Sequence, residues 1–190
     1  MLQVYTGNGK GKTTAALGLA LRALGAGKKV YIMQFMKSLY YSEQEILRKF
    51  SPNLLLETTG KPFFIAEENT IAEEERAKWG DVVIFPKGKP PADYVKLMGE
   101  GLKHAGNLAT GFDVIILDEV NVALFFGLLS RREVENFFDG LKADGVDREI
   151  ICTGRNAPPW LIDRADLVTD MQEVKHYYRQ GIMARRGIED

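Results

Sequence analysis

Apolar residues fall along this chain in short blocks, and stretches of helical period separate them. LQVY (2–5) is too short to classify by its own periodicity, but glycines follow at once, and then TTAALGLALRALGAG. That stretch is rich in Ala and Leu and closes on Gly25 and Gly27, where a helix C-cap belongs. The order is strand, loop, helix. KKVYIMQF (28–35) reads as a strand covered on both faces, as strands of parallel sheets are. Further apolar blocks are LLLE (54–57), VIILD (114–118), EIICT (149–153) and DLVTD (166–170), and segments 91–109, 131–143 and 158–165 have helical character. This alternation predicts an α/β fold, a doubly wound, mostly parallel sheet of about five or six strands with helices on both faces, in a single domain over 1–190.

One region breaks the pattern. AEENTIAEEERAKWGDVVIFPKGKP (66–90) begins acidic and ends in a Pro/Lys/Gly loop, which predicts a solvated helix and surface loop, or else an insertion or lid.

Composition narrows the function classes. With 190 residues, 45% of them hydrophobic and 27% charged, the chain is long enough to bury a core of its own. Twenty-five basic against 26 acidic residues give a net charge of −1, so nothing in the balance favours nucleic acid or an anionic membrane surface. Cys152 is the only cysteine, which rules out an intrachain disulfide and a multi-cysteine zinc site and points to a reducing compartment. No secretory pattern opens the sequence, and no stretch approaches the roughly 18 apolar residues of a membrane span. The expectation is a cytoplasmic protein.

The chemistry concentrates in TGNGKGKTT (6–14). The phosphate-binding template G-x-x-x-x-G-K-[ST] is met at Gly11, Lys12 and Thr13, but it asks for glycine where Thr6 stands, with Gly7 one step later. The stretch follows a predicted strand and opens a predicted helix. There backbone N–H groups and the positive end of the helix dipole converge on an anion, Lys12 faces the outer phosphates and the Thr13 hydroxyl can ligate Mg²⁺. A metal-bound triphosphate also needs a carboxylate across the site, and Asp118 and Glu119 follow the strand VIILD. Either binds the metal while the other orients it, unless the pair is simply an acidic turn.

Softer candidates surround these. Arg155 in TGRN reaches a phosphate from a strand-end loop or lies on the surface. Arg22, in an apolar helix, snorkels or pairs. Cys152 packs in its strand, His104 is exposed on a helix, and His176 in VKHYY has the better functional case. Phe63 and Phe64, beside Gly60 and Pro62, belong to the core or line a pocket for a large planar ligand. Taken alone, these residues reach Mg²⁺ and a nucleoside triphosphate, and do not say which bond breaks.

TGNGKGKTTAALGLALRALGAGKKVYIMQFMK, together with LDEVNVAL, TGRNAPPWLIDRADLVTDM and VKHYYRQGIMARRGIE, resembles the P-loop type of cob(I)alamin adenosyltransferase, the ATP:corrinoid adenosyltransferase family. The likeness covers most of the chain apart from about 38–98, and the family carries threonine where Thr6 departs from the template. The resemblance implies a P-loop NTPase-like fold and transfer of the 5′-deoxyadenosyl group of ATP to a reduced corrinoid, cob(I)alamin or a precursor, in adenosylcobalamin synthesis or salvage. Cobalt(I) is then the nucleophile at C5′ and triphosphate leaves, with ATP reversed relative to phosphoryl-transfer enzymes. Carried over by position, Thr6, Gly7, Asn8, Gly9, Lys10, Gly11, Lys12, Thr13 and Thr14 hold ATP, with Arg22, Lys37 and Arg155 in the nucleotide pocket. Lys12, Thr13 and Glu119 are the implied catalytic residues, Thr13, Asp118 and Glu119 serve Mg²⁺, and Phe63, Phe64 and His176 meet the corrinoid. Some relatives carry a Phe-x-Trp element where this chain has Phe63-Phe64-Ile65. A flavoprotein reductase as electron donor and a homodimer are also implied. Two other readings stay open at this point: a P-loop kinase or NTPase acting at the γ-phosphate, and an ATP-binding corrinoid carrier without turnover.

Overall fold

Side chains alternate across a strand, so the apolar blocks of this chain decide what covers each face of its sheet. In a computed structural model, which describes residues 1–38, 41–68 and 82–189, the elements run β1 (Leu2–Thr6), α1 (Lys12–Gly25), β2 (Val30–Phe35), α2 (Ser42–Leu47), β3 (Leu54–Thr59), β4 (Phe64–Glu67), β5 (Val82–Phe85), α3 (Ala92–Ala109), β6 (Val114–Asp118), α4 (Val120–Phe125), α5 (Arg131–Lys142), β7 (Glu149–Thr153), α6 (Pro159–Arg164) and β8 (Leu167–Asp170). Six strands pair in parallel in the order β3-β2-β6-β7-β1-β8. Tyr31, Met33, Phe35, Ile115, Leu117, Ile150 and Cys152 point to one side, where they pack with Tyr94, Met98 and Leu102 of α3 and with Val134 and Phe138 of α5. Val30, Ile32, Val114, Ile116 and Ile151 point to the other, against Ala16, Ala20 and Ala23 of α1 and Leu47 of α2. The doubly wound sheet expected from the sequence is the one observed. Alanines on α1 let the helix lie close to the strands, and Cys152 is fully buried, its thiol pKa pushed up by burial.

One region differs from expectation. The flanks of segment 66–90 are strands: β4 and β5 form a separate parallel pair, with Ile65 and Phe85 packed into the larger core. Residues 69–81, where a solvated helix or lid was expected, lie outside the described residues. DLVTD is a strand, but an exposed one at the sheet edge. Among the described residues no helix is long and apolar enough to cross a membrane.

Candidate active site

In open α/β sheets ligands bind beyond the carboxyl ends of the strands. Here β1, β6 and β7 end side by side, on Thr6, Asp118 and Thr153. Residues 7–11 leave β1 and turn into α1, passing through Gly7 (φ 94°) and Gly11 (φ 116°), in a left-handed region that suits glycine. No side chain caps α1, and no acidic residue stands in its first turn. By contrast Ser130 and Glu133 close a capping box on α5. The free N–H groups at the start of α1 are therefore open to an anion.

Two of the glycines answer to a neighbour within the chain. A Cβ on Gly7 would fall 2.2 Å from Asp170 Oδ1, and one on Gly9 2.7 Å from the Met171 carbonyl oxygen. The segment after β8 presses on the loop, and the Gly9 N–H donates to that Met171 oxygen at 2.6 Å.

The loop lysines are also held by the chain itself. Buried Lys12 donates to the carbonyls of Gly7 and Gly9, both at 2.7 Å. Burial and the nearby Arg155 charge lower its pKa. Exposed Lys10 donates to Glu189 Oε1 at 2.7 Å, to the Ile188 carbonyl at 2.8 Å and to the Tyr177 hydroxyl at 3.1 Å. Hydrogen bonds from Arg185, Lys10 and Tyr177 hold the Glu189 carboxyl well below the usual range.

The two carboxylates have different surroundings. Asp118 is buried and takes four donors: Thr13 Oγ1 at 2.8 Å and Thr153 Oγ1 at 2.6 Å on Oδ1, Lys37 Nζ at 2.8 Å and Gln34 Nε2 at 3.1 Å on Oδ2. Burial pushes its pKa up, but the Lys37 ammonium and the hydrogen bonds from Lys37, Thr153 and Thr13 outweigh that and hold it down. Glu119 adopts φ 63° at the start of α4, its N–H donating to Thr153 Oγ1 at 3.0 Å. Its carboxylate faces the cleft and makes no hydrogen bond or ion pair among the described residues. Burial and the neighbouring Asp118 charge raise its pKa. Thr13 Oγ1 and the Glu119 oxygens suit Mg²⁺, which takes one or two protein oxygens and completes its shell with water and phosphate. No cluster of three or more His, Cys, Asp or Glu able to hold a metal occurs among the described residues.

A cleft of about 410 Å³ gathers Gly9, Lys10, Gly11, Lys12, Thr13, Thr14, Glu119, Arg155, His176, Ile188 and Glu189. Arg155 is exposed and has no hydrogen-bond or ion-pair partner among the described residues, an unspent cation beside the loop. His176 stands in this wall, on the side of the loop. Other expected residues lie elsewhere. Asn8 is exposed and outside the lining. Thr6 is buried and spends its hydroxyl on the Ala157 N–H at 3.2 Å. Lys37 is tied to Asp118 and lies over the Tyr41 ring at 5.0 Å. Arg22 sits in the last turn of α1, about 15 Å along the axis from Lys12, and is not brought to the cleft. Phe63 packs on Tyr94 with ring centroids 5.9 Å apart, beneath Lys61. Phe64 begins β4, and its side chain lies outside the described parts. Sequence reasoning missed Thr153, Asn121, Gln34, Tyr177 and Glu189; the signal each had was its place inside a stretch that carries the family resemblance, TGRN, LDEVN, YIMQF and VKHYYRQGIMARRGIE.

A family model described as ATP:corrinoid adenosyltransferase BtuR/CobO/CobP matches residues 1–189. The chain belongs to the ATP:corrinoid adenosyltransferase family. It is thus an enzyme that adenosylates corrinoids with ATP. Relatives within the family include corrinoid adenosyltransferases of Pseudomonas aeruginosa, 33% identical over 100% of this chain and 83% of that protein, and of Salmonella typhimurium, 30% identical over 98% of this chain and 83% of that protein. A solved KaiC-like protein from Pyrococcus horikoshii overlaps 92% of this chain and 74% of its own at 16% identity, with a TM-score of 0.42. The adenosyltransferase fold itself is read from the strand order and the two cores.

Proposed function

We propose that the cleft binds Mg-ATP with the triphosphate on residues 7–14, and that the cobalt(I) of a reduced corrinoid attacks C5′ of the bound nucleotide. The carbon–cobalt bond forms, the C5′–oxygen bond breaks, and the electron pair leaves with triphosphate. The observation that carries this reading is the convergence of an uncapped helix N-terminus, Lys12 and unpaired Arg155 on one cleft with the free Glu119 carboxylate. Cations fixed around the departing triphosphate stabilise the charge that grows on it, and the nucleophile comes with the substrate, so no protein base is required. Lys12 and Arg155 take the phosphates once Lys12 exchanges its carbonyl partners for them. Thr13 and Glu119 hold Mg²⁺, which neutralises the phosphates when bound, and Asp118 orients Thr13 from behind. His176 and the segment ending at Glu189 wall the nucleotide, and Phe63, tilted on Tyr94 outside the cleft lining, is assigned to the planar corrinoid on the strength of the family likeness. A flavoprotein electron donor, a homodimeric assembly and a cytoplasmic setting complete the proposal, on the strength of the family likeness.

The test is anaerobic incubation with Mg-ATP and chemically reduced cobalamin. The expected result is a light-sensitive carbon–cobalt product formed one for one with inorganic triphosphate. Lys12→Ala should lower its rate on the order of 10²-fold with the fold intact. Stoichiometric ADP with an unchanged corrinoid spectrum would return the cleft to the kinase or NTPase reading.

A further inference from the structure

Arg155 reaches the cleft from a turn, and the turn is held by side chains that do not line the cleft. Residues 153–157 pass through two positive-φ positions, Gly154 at 126° and Asn156 at 56°. Such a turn does not fix itself; its hydrogen bonds have to come from neighbours. They come from the end of β1 and from α4. The Gly154 N–H donates to the Tyr5 carbonyl at 3.2 Å. Asn121 Nδ2 donates to that same Tyr5 oxygen at 3.3 Å and to the Gly154 carbonyl at 3.0 Å, so the Gly154 peptide is gripped on both sides. The Ala157 N–H donates to Thr6 Oγ1 at 3.2 Å. Asn121 is fully buried, and Thr6 nearly so.

Both residues sit where they join working parts. Tyr5 and Thr6 end the strand that becomes the phosphate loop. Asn121 lies in the first turn of α4, two residues after Glu119. A Cβ on Gly154 would come within 3.1 Å of Glu119 Oε2 and of Asn121 Cβ, so the turn lies directly on the carboxylate. The position at which the phosphate template asks for glycine thus carries a hydroxyl with a task of its own.

We infer that Asn121 and Thr6 are positioning residues for Arg155: they lock its turn to the phosphate-loop strand and to the Glu119 helix, and so fix where the guanidinium meets the triphosphate. The inference rests on the reading of Arg155 as a triphosphate ligand. Displacement by about 1 Å is enough to spoil a charge-assisted contact of this kind, which gives residues away from the ligand a large effect.

The experiment is a double-mutant cycle read by calorimetric binding of inorganic triphosphate with Mg²⁺, beside kcat and KM for ATP and a thermal melt of each variant. Arg155→Ala should weaken triphosphate binding on the order of tenfold or more. Asn121→Ala and Thr6→Val should each weaken it about fivefold to tenfold, and Thr6→Ser, which keeps the hydroxyl, should stay within about twofold of the parent. In the Arg155→Ala background the Asn121 and Thr6 substitutions should add less than about twofold. Thr6→Val changes little volume, so the cycle stands on it where Asn121→Ala melts before assay. Full additivity of the losses with that of Arg155→Ala would overturn the inference and leave the two residues as fold stabilisers. Unchanged triphosphate binding in Arg155→Ala alone would instead overturn the role of Arg155, a failure of a different arm of the cycle.

Discussion

Asp118 and Glu119 are neighbours in sequence with opposite assignments, because a strand ends between them. Asp118 is the last residue of β6 and is consumed by four donors; Glu119, swung through φ 63°, turns its carboxylate into the cleft. Substitution should separate them. Glu119→Gln should raise the Mg²⁺ concentration for half-maximal turnover at least about tenfold with little change in melting temperature, as loss of a direct or bridging carboxylate does. Asp118→Asn takes the nearer counter-charge from the Lys37 ammonium, only 12% exposed, and leaves it with Glu43 at 3.9 Å. That should cost up to about 3 kcal/mol of stability in a denaturant melt. If the Mg²⁺ dependence moved more in Asp118→Asn than in Glu119→Gln, the assignment would be reversed. Lys12, Thr13, Glu119 and Arg155 were legible in the sequence because each stands in a contiguous motif whose geometry is local. The hydrogen-bond tasks of Thr6, Asn121 and Thr153 were not, since their partners stand far away in the sequence: the Ala157 N–H for Thr6, the Tyr5 and Gly154 carbonyls for Asn121, and Asp118 on the neighbouring strand β6 for Thr153.

The elements that sequence pattern missed, α2, α4, β4 and β5, all have six residues or fewer, although α6 and the strands of the main sheet, no longer than these, were read. α2 and α4 are too short to show a helical period, and β4 and β5 have four residues each, so nothing but pairing marks them as strands. Between α5 and β7 the chain is anchored by one buried side chain. Arg148 donates to the carbonyls of Thr110, Phe112 and Leu141, which join the ends of α3 and α5 to the sheet, and makes a two-pronged pair with Asp144 at 2.7 and 2.6 Å. Hydrogen bonds from Arg148 and from the Val146 N–H lower the Asp144 pKa to about 2. A folded-state pKa below the unfolded one contributes stability that is complete above the unfolded value and fades as pH falls through the folded value. The parent should therefore lose stability from this pair between about pH 4 and about pH 2. Asp144→Asn should be less stable at neutral pH and show a flatter pH dependence across that window in acid denaturation. Parallel acid curves for the two proteins would contradict this.

Across the whole molecule, the architecture was readable because six apolar blocks alternate with helical stretches, and a parallel sheet covered on both faces is the arrangement that buries them all. The order of the strands was not readable, since every β-α-β unit looks alike in sequence and nothing local says that β6 and β7 come between β2 and β1. That order has a mechanical consequence. β1 and its neighbour β8 run parallel, so Met1 leaves the sheet at one edge and the chain after Asp170 leaves at the other. Traction between those points slides the two strands past each other and loads their hydrogen bonds together. Traction between Met1 and Asp147, which meet at the same edge, peels β1 from its neighbours one bond at a time. In an optical trap, handles at Met1 and at Gln172→Cys should give a higher rupture force than handles at Met1 and at Asp147→Cys, with buried Cys152 left unlabelled in both; equal forces would mean that the β1–β8 ladder bears no load.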